Sequence, residues 1–116
     1  MATFLIVDAD RNFREALAIA LRLDGHPALA TGSVDEAIVY LGGGGFSCCL
    51  VDVHLPGADE VADAAARVRA RVVITGPYPE LLAGALRRHP GARPLPKPFR
   101  AQELSEPRGV PPRPAG

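Results

Sequence analysis

The sequence predicts an α/β domain in which a parallel β-sheet is covered by helices on both faces. Short apolar segments alternate along the chain with helical patterns, an order typical of βαβ units. Three segments are almost entirely apolar, as strands buried on both faces should be: TFLIV (3–7), CCLVD (48–52) and VVIT (72–75). Weaker strand candidates near residues 27–30 and 92–95 bring the predicted number of strands to five.

Helices are predicted between these strands, in chain order. The first has apolar residues at helical spacing and ends before Gly25; these residues are Phe13, Ala16, Leu17, Ala20 and Leu21. Ser33 and Glu36 form a capping box that begins a second helix, which extends to about residue 41. The GGGG at 42–45 then predicts a flexible loop, since no Lys-Ser or Lys-Thr follows to make a phosphate-binding loop.

The second half of the chain contains two further helices and a short last one. Val61, Ala65 and Val68 mark an alanine-rich third helix, and Pro79 begins a fourth, which ends at residues 89–91. The last helix has only about residues 99–105 before Pro107 ends it. We therefore assign residues 1–106 to one domain and residues 107–116 to a proline-rich tail or the start of a linker.

Charge is unevenly distributed although the formal net charge is zero. Residues 1–63 contain ten Asp and Glu against three Lys and Arg, whereas residues 64–116 contain three against ten. The basic residues are scattered and have few aromatic neighbours, so the pattern indicates an internal polarity rather than a nucleic-acid-binding surface.

Cysteine content and hydropathy indicate in which cellular compartment the protein is expected. Cys48 and Cys49 are adjacent in an apolar strand, where their side chains should lie on opposite faces as small core residues. No signal peptide and no apolar stretch of membrane-spanning length is evident, so we expect a cytoplasmic protein without a membrane anchor.

Polar residues follow the predicted strands where the strands end. Asp8 and Asp10 follow the first strand, Asp52 ends the third, Thr75 ends the fourth and Lys97 follows the fifth. In an open parallel sheet, ligands bind beyond the carboxyl ends of the strands, so these side chains should share one edge. Carboxylates suit Mg²⁺, a lysine and a hydroxyl can hold phosphoryl oxygens, and a carboxylate can itself be a nucleophile. The set predicts a Mg²⁺-dependent phosphoryl-handling site.

These motifs resemble a response regulator receiver domain over roughly residues 3–104. The motifs that carry the resemblance are LIVDAD, LVDVHLPGAD, VVITG and LPKPF, in family order. The resemblance implies a flavodoxin-like sheet of order 2-1-3-4-5, a cis peptide bond between Lys97 and Pro98, and a chemotaxis-type single-domain receiver of two-component systems. Such a domain is not an enzyme beyond self-phosphorylation from small phosphodonors and self-dephosphorylation.

The resemblance also implies a role for each site residue. Asp52 would accept the phosphoryl group from a histidine kinase or phosphotransfer protein, and Thr75 and Lys97 would contact that group. Asp8, Asp52 and the backbone carbonyl of His54 would hold Mg²⁺. Asp10 is a further candidate metal ligand, or it caps the following helix. The downstream protein is not specified by the sequence.

Four positions depart from the family pattern. Ala9 replaces the second residue of the acidic pair, which predicts weak Mg²⁺ binding, and Pro94 replaces the usual aromatic switch residue. The segment between Asp52 and Thr75 is several residues short, and so is the last helix. From the short last helix we expect exposed apolar surface near Leu17, Leu21 and the last strand. We therefore expect self-association or partner binding through the face formed by the last strand and its flanking helices, with a homodimer as one outcome.

Two alternatives remain open from the sequence. A degenerate receiver would act as a protein-interaction module that does not need phosphate, which Ala9 and Pro94 favour. Asp8-Ala9-Asp10 also resembles the Asp-x-Asp of haloacid-dehalogenase-type phosphatases, but that assignment gives Asp52 no role.

Overall fold

The computed structural model of the protein describes residues 2–105. Strands and helices alternate throughout this part of the chain. The strands are β1 (Phe4–Val7), β2 (Ala28–Thr31), β3 (Cys48–Asp52), β4 (Arg71–Gly76) and β5 (Arg93–Pro96). The helices are α1 (Arg11–Leu23), α2 (Val34–Gly42), α3 (Ala58–Arg67), α4 (Pro79–Arg88) and α5 (Ala101–Ser105).

The five strands form one parallel sheet in the order β2-β1-β3-β4-β5, which confirms the predicted flavodoxin-like topology. The chain reverses its direction across the sheet between β1 and β3, so the loops after these two strands open the crevice at the carboxyl edge. Asp52 at the end of β3 lies in register with Thr75 of β4. The topology therefore positions the predicted site residues on adjacent strand ends.

Two core clusters lie on opposite faces of the sheet. Leu5 and Cys49 belong to the cluster covered by α2, α3 and α4, whereas Phe4 and Cys48 belong to the cluster covered by α1 and α5. The two cysteines are free and buried, as predicted, and burial raises the pKa of Cys48 and raises the pKa of Cys49 to about 12. Both thiols therefore stay protonated near neutral pH.

The helix ends follow the sequence signals with one difference. Gly25 follows α1 in the left-handed region with φ of 88°, where a residue without Cβ is favoured. Ser33 Oγ accepts a hydrogen bond from the Glu36 N–H, as a capping box requires. However, the Ser33 N–H donates to Thr31 Oγ1, so this donor is satisfied by the preceding strand.

The expected apolar patch beneath the short last helix is absent from the described residues, so that prediction is wrong. Leu17 is 7% exposed and Leu21 is fully buried, because α5 brings Leu104 into the same cluster and buries it completely. One well-placed leucine, with Phe99 packed beside it, covers the surface that a longer helix was expected to cover. The homodimer stays a prediction without this support.

The proline-rich segment 107–116 lies outside the described residues, and the domain boundary at 106 stays a prediction.

Candidate functional site at the carboxyl edge of the sheet

Lys97 joins two buried carboxylates at this edge. Its Nζ donates to Asp8 Oδ2 at 2.8 Å and lies 3.8 Å from Asp52 Oδ2. Asp8 is fully buried and Asp52 is 7% exposed, so both carboxylates are largely withdrawn from water. A buried carboxylate requires a compensating partner, and one ammonium group serves two of them here. The cluster of two carboxylates and one lysine keeps one uncompensated negative charge.

Backbone donors fix both carboxylates. Asp8 Oδ1 accepts from the Asp10 N–H at 2.9 Å, and Asp52 Oδ1 accepts from the His54 N–H at 3.0 Å. Each aspartate thus closes a short turn at the end of its strand. These hydrogen bonds orient the carboxylates, while the second oxygen of each faces Lys97.

Thr75 completes the cluster with an unsatisfied hydroxyl. Its side chain is fully buried, and Oγ1 has no hydrogen-bond partner among residues 2–105. A buried hydroxyl without a partner costs about 1–3 kcal/mol, so this hydroxyl can donate to a bound group without breaking another hydrogen bond. Gly76 follows it, and a Cβ there would lie 2.6 Å from Val53 Cγ1, so glycine lets the β3–α3 loop approach this strand.

Lys97 is held from the other side by an aromatic ring. Its Nζ lies 4.3 Å from the ring centroid of Phe13, which in turn packs edge-on against Phe99 at 5.5 Å between centroids. A cation over an aromatic face is attracted by the ring quadrupole. The bond between Lys97 and Pro98 is cis, as predicted.

Two residues at this edge were not recognised as site residues from the sequence. Phe13 is one of the apolar residues at helical spacing in α1, and nothing in the local pattern distinguishes a ring that faces lysine from one that faces leucine. Arg14 extends back to the preceding loop, where its Nη1 donates to the Asp8 carbonyl at 3.1 Å and the Ala9 carbonyl at 3.3 Å. Helical side chains point toward the N-terminus of their helix, which is the one signal that could have suggested this contact.

Asp10 does not join the cluster. Its carboxylate caps α1 by accepting from the Phe13 N–H at 3.1 Å, and it is exposed. Within residues 2–105 no three His, Cys, Asp or Glu side chains form a group suited to hold a metal ion. Ala9 is exposed where the family pattern has a second acid. The role of Asp10 as a metal ligand stays a prediction, whereas its capping role is observed.

The residues present fit Mg²⁺ with two carboxylates. Each carboxylate can accept more hydrogen bonds or metal contacts than it makes, because an ionised carboxylate has about four acceptor positions. Mg²⁺ often binds through one or two carboxylates and keeps several waters. The net negative charge of the cluster favours a cation, and the unpaired Thr75 hydroxyl is a candidate contact for a phosphoryl oxygen.

Comparisons with known proteins give one sequence relative and several similar folds. No family model matches the chain. A segment of 58 residues, half of this chain, is 41% identical to the response regulator protein FleR of Pseudomonas aeruginosa, of which it spans only 12%. The receiver domain of the Francisella response regulator 1452 superposes with a TM-score of 0.75 at 17% identity, covering 90% of both chains.

The chain has the fold of a response regulator receiver domain. The fold implied by the resemblance is thereby confirmed. Another receiver neighbour is the response regulator TrrA of Thermotoga maritima, with a TM-score of 0.76 and 24% identity over 90% of this chain and 94% of that one. The TrrA structure is a complex with Mg²⁺ and BeF. Among residues 2–105, no helix of the receiver fold has the length and hydropathy to cross a membrane.

Proposed function

We propose that this receiver accepts a phosphoryl group on Asp52 from a phosphohistidine of a histidine kinase or phosphotransfer protein, in a Mg²⁺-dependent reaction. The observation that carries the proposal is the position of the Lys97 ammonium, 2.8 Å from Asp8 and 3.8 Å from Asp52. Asp52 is the carboxylate that Lys97 holds less tightly, so it is the freer of the two to react. The similarity to a segment of the response regulator FleR supports a role in response regulation.

The proposed transfer uses groups that the fold already positions. A carboxylate oxygen of Asp52 forms a bond to phosphorus, while the bond from phosphorus to the imidazole nitrogen breaks. The leaving imidazole keeps that electron pair and takes up a proton. Lys97 then pairs with a phosphoryl oxygen, and Thr75 Oγ1 donates to another, which satisfies a hydroxyl that is otherwise unpaired. Positioned charges of this kind are the main source of catalysis in phosphoryl transfer.

Mg²⁺ would be held by Asp8, Asp52 and the backbone carbonyl of His54. When bound, it would neutralise charge on the phosphoryl oxygens. Ala9 removes one carboxylate from this set, so the affinity for Mg²⁺ should be low. A downstream protein would read the phosphorylated state, and we propose no enzyme activity beyond self-phosphorylation and self-dephosphorylation.

Intact-mass measurement after incubation with acetyl phosphate and Mg²⁺ tests the proposal. The wild-type chain should gain the mass of one phosphoryl group, and Asp52→Ala should gain none. Asp59→Ala, which removes an exposed aspartate on α3, is the matched control and should be modified like the wild type. Circular dichroism of each variant establishes that it is folded.

A wild-type chain that stays unmodified would contradict the proposal and favour the phosphate-independent interaction module. The phosphatase alternative has less support, because its acid, Asp10, caps α1. Turnover of an aryl phosphate that is abolished by Asp8→Asn but retained by Asp52→Asn would favour it instead.

A further inference from the structure

A cavity of about 560 Å³ lies at the end of the molecule away from Asp52. It is bounded by the second half of α3, the α3–β4 loop and the α4–β5 loop, beneath the first residues of β4. β4 begins at Arg71, and Thr75, in register with Asp52, lies four residues further along it, so the cavity lies roughly 13 Å from the carboxyl edge along the strand. The volume falls within the range of small-molecule sites, about 300–1,000 Å³.

The cavity exists because the side chains around it are small. Ala62, Ala70 and Ala92 line it and are buried, and Val72 adds a further apolar wall. Leucine-sized side chains at these positions would fill the space between α3 and α4. The floor of the cavity is therefore apolar, whereas the surrounding rim is polar and charged.

The rim of the cavity is charged, and most of its charges are already paired. Arg88 Nε donates to both Asp59 oxygens at 3.1 Å, and His89 contacts Asp59 at 2.8 Å and Asp63 at 3.5 Å. Arg71 donates to the Leu104 carbonyl. Arg69 differs, because its guanidinium makes no hydrogen bond or ion pair with any residue in the range 2–105, and it is exposed.

We propose that this cavity binds a small organic anion with an apolar body, of the aromatic carboxylate class. The apolar body would pack on the alanine floor, and the carboxylate would pair with the guanidinium of Arg69. A planar guanidinium matches a carboxylate with two parallel hydrogen bonds. Charge complementarity selects an anion, since the other rim cations already have acceptors.

Titration of the full chain with benzoate, followed by amide proton–nitrogen NMR correlation spectra, tests this proposal. Saturable shifts should appear at residues 62–72 and 88–92, and the spectra at the Asp52 edge should not change. Benzyl alcohol and benzylammonium have the same ring with a neutral and a positive group. Benzoate should bind most tightly and benzylammonium most weakly.

Two variants separate the charge from the apolar floor. Arg69→Gln should weaken benzoate binding roughly tenfold, as expected for loss of a charge-assisted contact, and leave benzyl alcohol unchanged. Arg67→Gln, which removes a neighbouring exposed arginine outside the cavity, is its control. Ala66→Leu should abolish binding of all three probes by filling the space, whereas Ala83→Leu on the exposed side of α4 should have no effect.

Ala66 is exposed and helical, so leucine there is compatible with folding, which the spectra themselves verify. Equal affinity for benzoate and benzylammonium would overturn the assignment to an anion. Shifts without saturation, or the same loss in Arg67→Gln as in Arg69→Gln, would overturn the site.

Discussion

Two ionic clusters connect the acidic first half of the chain to its basic second half, and they differ mainly in burial. Lys97 and Asp8 are 2.8 Å apart, with 21% and 1% of their side chains exposed. Arg88 and Asp59 are 3.1 Å apart, but both side chains are 53% exposed. The distances are similar, yet the consequences are not. Water screens the exposed pair, whereas the buried carboxylate has no solvent to replace a lost partner.

The comparison shows how the same residue types serve different purposes. On α3 and α4, Asp59 and Asp63 face Arg88 and His89, so the carboxylates have matching partners. At the sheet edge, two carboxylates share one lysine, and the uncompensated charge is available to a cation. The exposed cluster connects two helices, whereas the buried one has a negative charge that the lysine does not balance.

The largest effect should come from removing the lysine of the buried cluster. Lys97→Met leaves Asp8 and Asp52 without a cation, so the free energy of unfolding without Mg²⁺ should fall by about 3 kcal/mol or more. Urea unfolding followed by circular dichroism measures this. Arg88→Met is the control, with an expected loss below about 1 kcal/mol. Equal losses in the two variants would contradict the distinction between the clusters.

Introducing an acidic residue at position 9 should strengthen Mg²⁺ binding. Ala9→Asp should tighten Mg²⁺ binding by about tenfold, or 1.4 kcal/mol, because it adds a carboxylate beside Asp8. Calorimetric titration measures the affinity, and Asn12→Asp, a new carboxylate on the exposed side of α1, should leave it unchanged. An unchanged affinity in Ala9→Asp would mean that Asp10 or water already fills that position.

The aromatic ring beside the Lys97 ammonium should contribute less to the free energy of unfolding. Phe13→Leu keeps an apolar side chain but removes the ring beneath Nζ, so stability should fall by about 1 kcal/mol. A double-mutant cycle with Lys97→Met isolates the interaction between the two side chains. If the two losses simply add, the ring is only a packing residue.

The smallest expected effect on stability comes from the lowered pKa of Asp59. The hydrogen bond from His89, followed by the hydrogen bond and charge of Arg88, holds the pKa of Asp59 below its ordinary value of 3.8. A lowered folded-state pKa stabilises the fold above the unfolded value, and this stabilisation is lost as the pH falls through the folded value. Because Asp59 is half exposed, the contribution should stay below about 1 kcal/mol.

The difference in unfolding free energy between wild type and Asp59→Asn, measured from about pH 5 to about pH 2, reports this contribution. The difference should be constant in the upper part of that range and shrink in the most acidic part. Asp35→Asn, an exposed aspartate in the first turn of α2, controls for the loss of a helix-terminal charge. A difference that grows on acidification would contradict the direction of the pKa shift.

Most of the architecture could be predicted from the sequence, because the patterns that indicate strands, helices and helix ends are local. Apolar segments with alternating helical patterns predicted all five strands, and Ser33, Pro79 and Gly25 marked helix ends at or near the observed positions. The strand ends predicted that Asp8, Asp52, Thr75 and Lys97 would share one edge, since parallel strands finish on the same side of a sheet. Their individual roles in phosphoryl transfer stay predictions.

Only the tertiary structure shows which side chains cover the apolar surface of the sheet and which charged groups pair with one another. The length of the last helix suggested an exposed patch, but the depth at which Leu104 inserts buries Leu17 and Leu21. That depth depends on packing between segments far apart in the chain, which no local pattern encodes. Packing between distant segments also explains three other features. These are the pairing of Lys97 with Asp8 across 89 residues, the contact of Lys97 with the Phe13 ring, and the cavity among the alanines of α3. Sequence periodicity determines which residues face inward, and three-dimensional packing determines what they meet there.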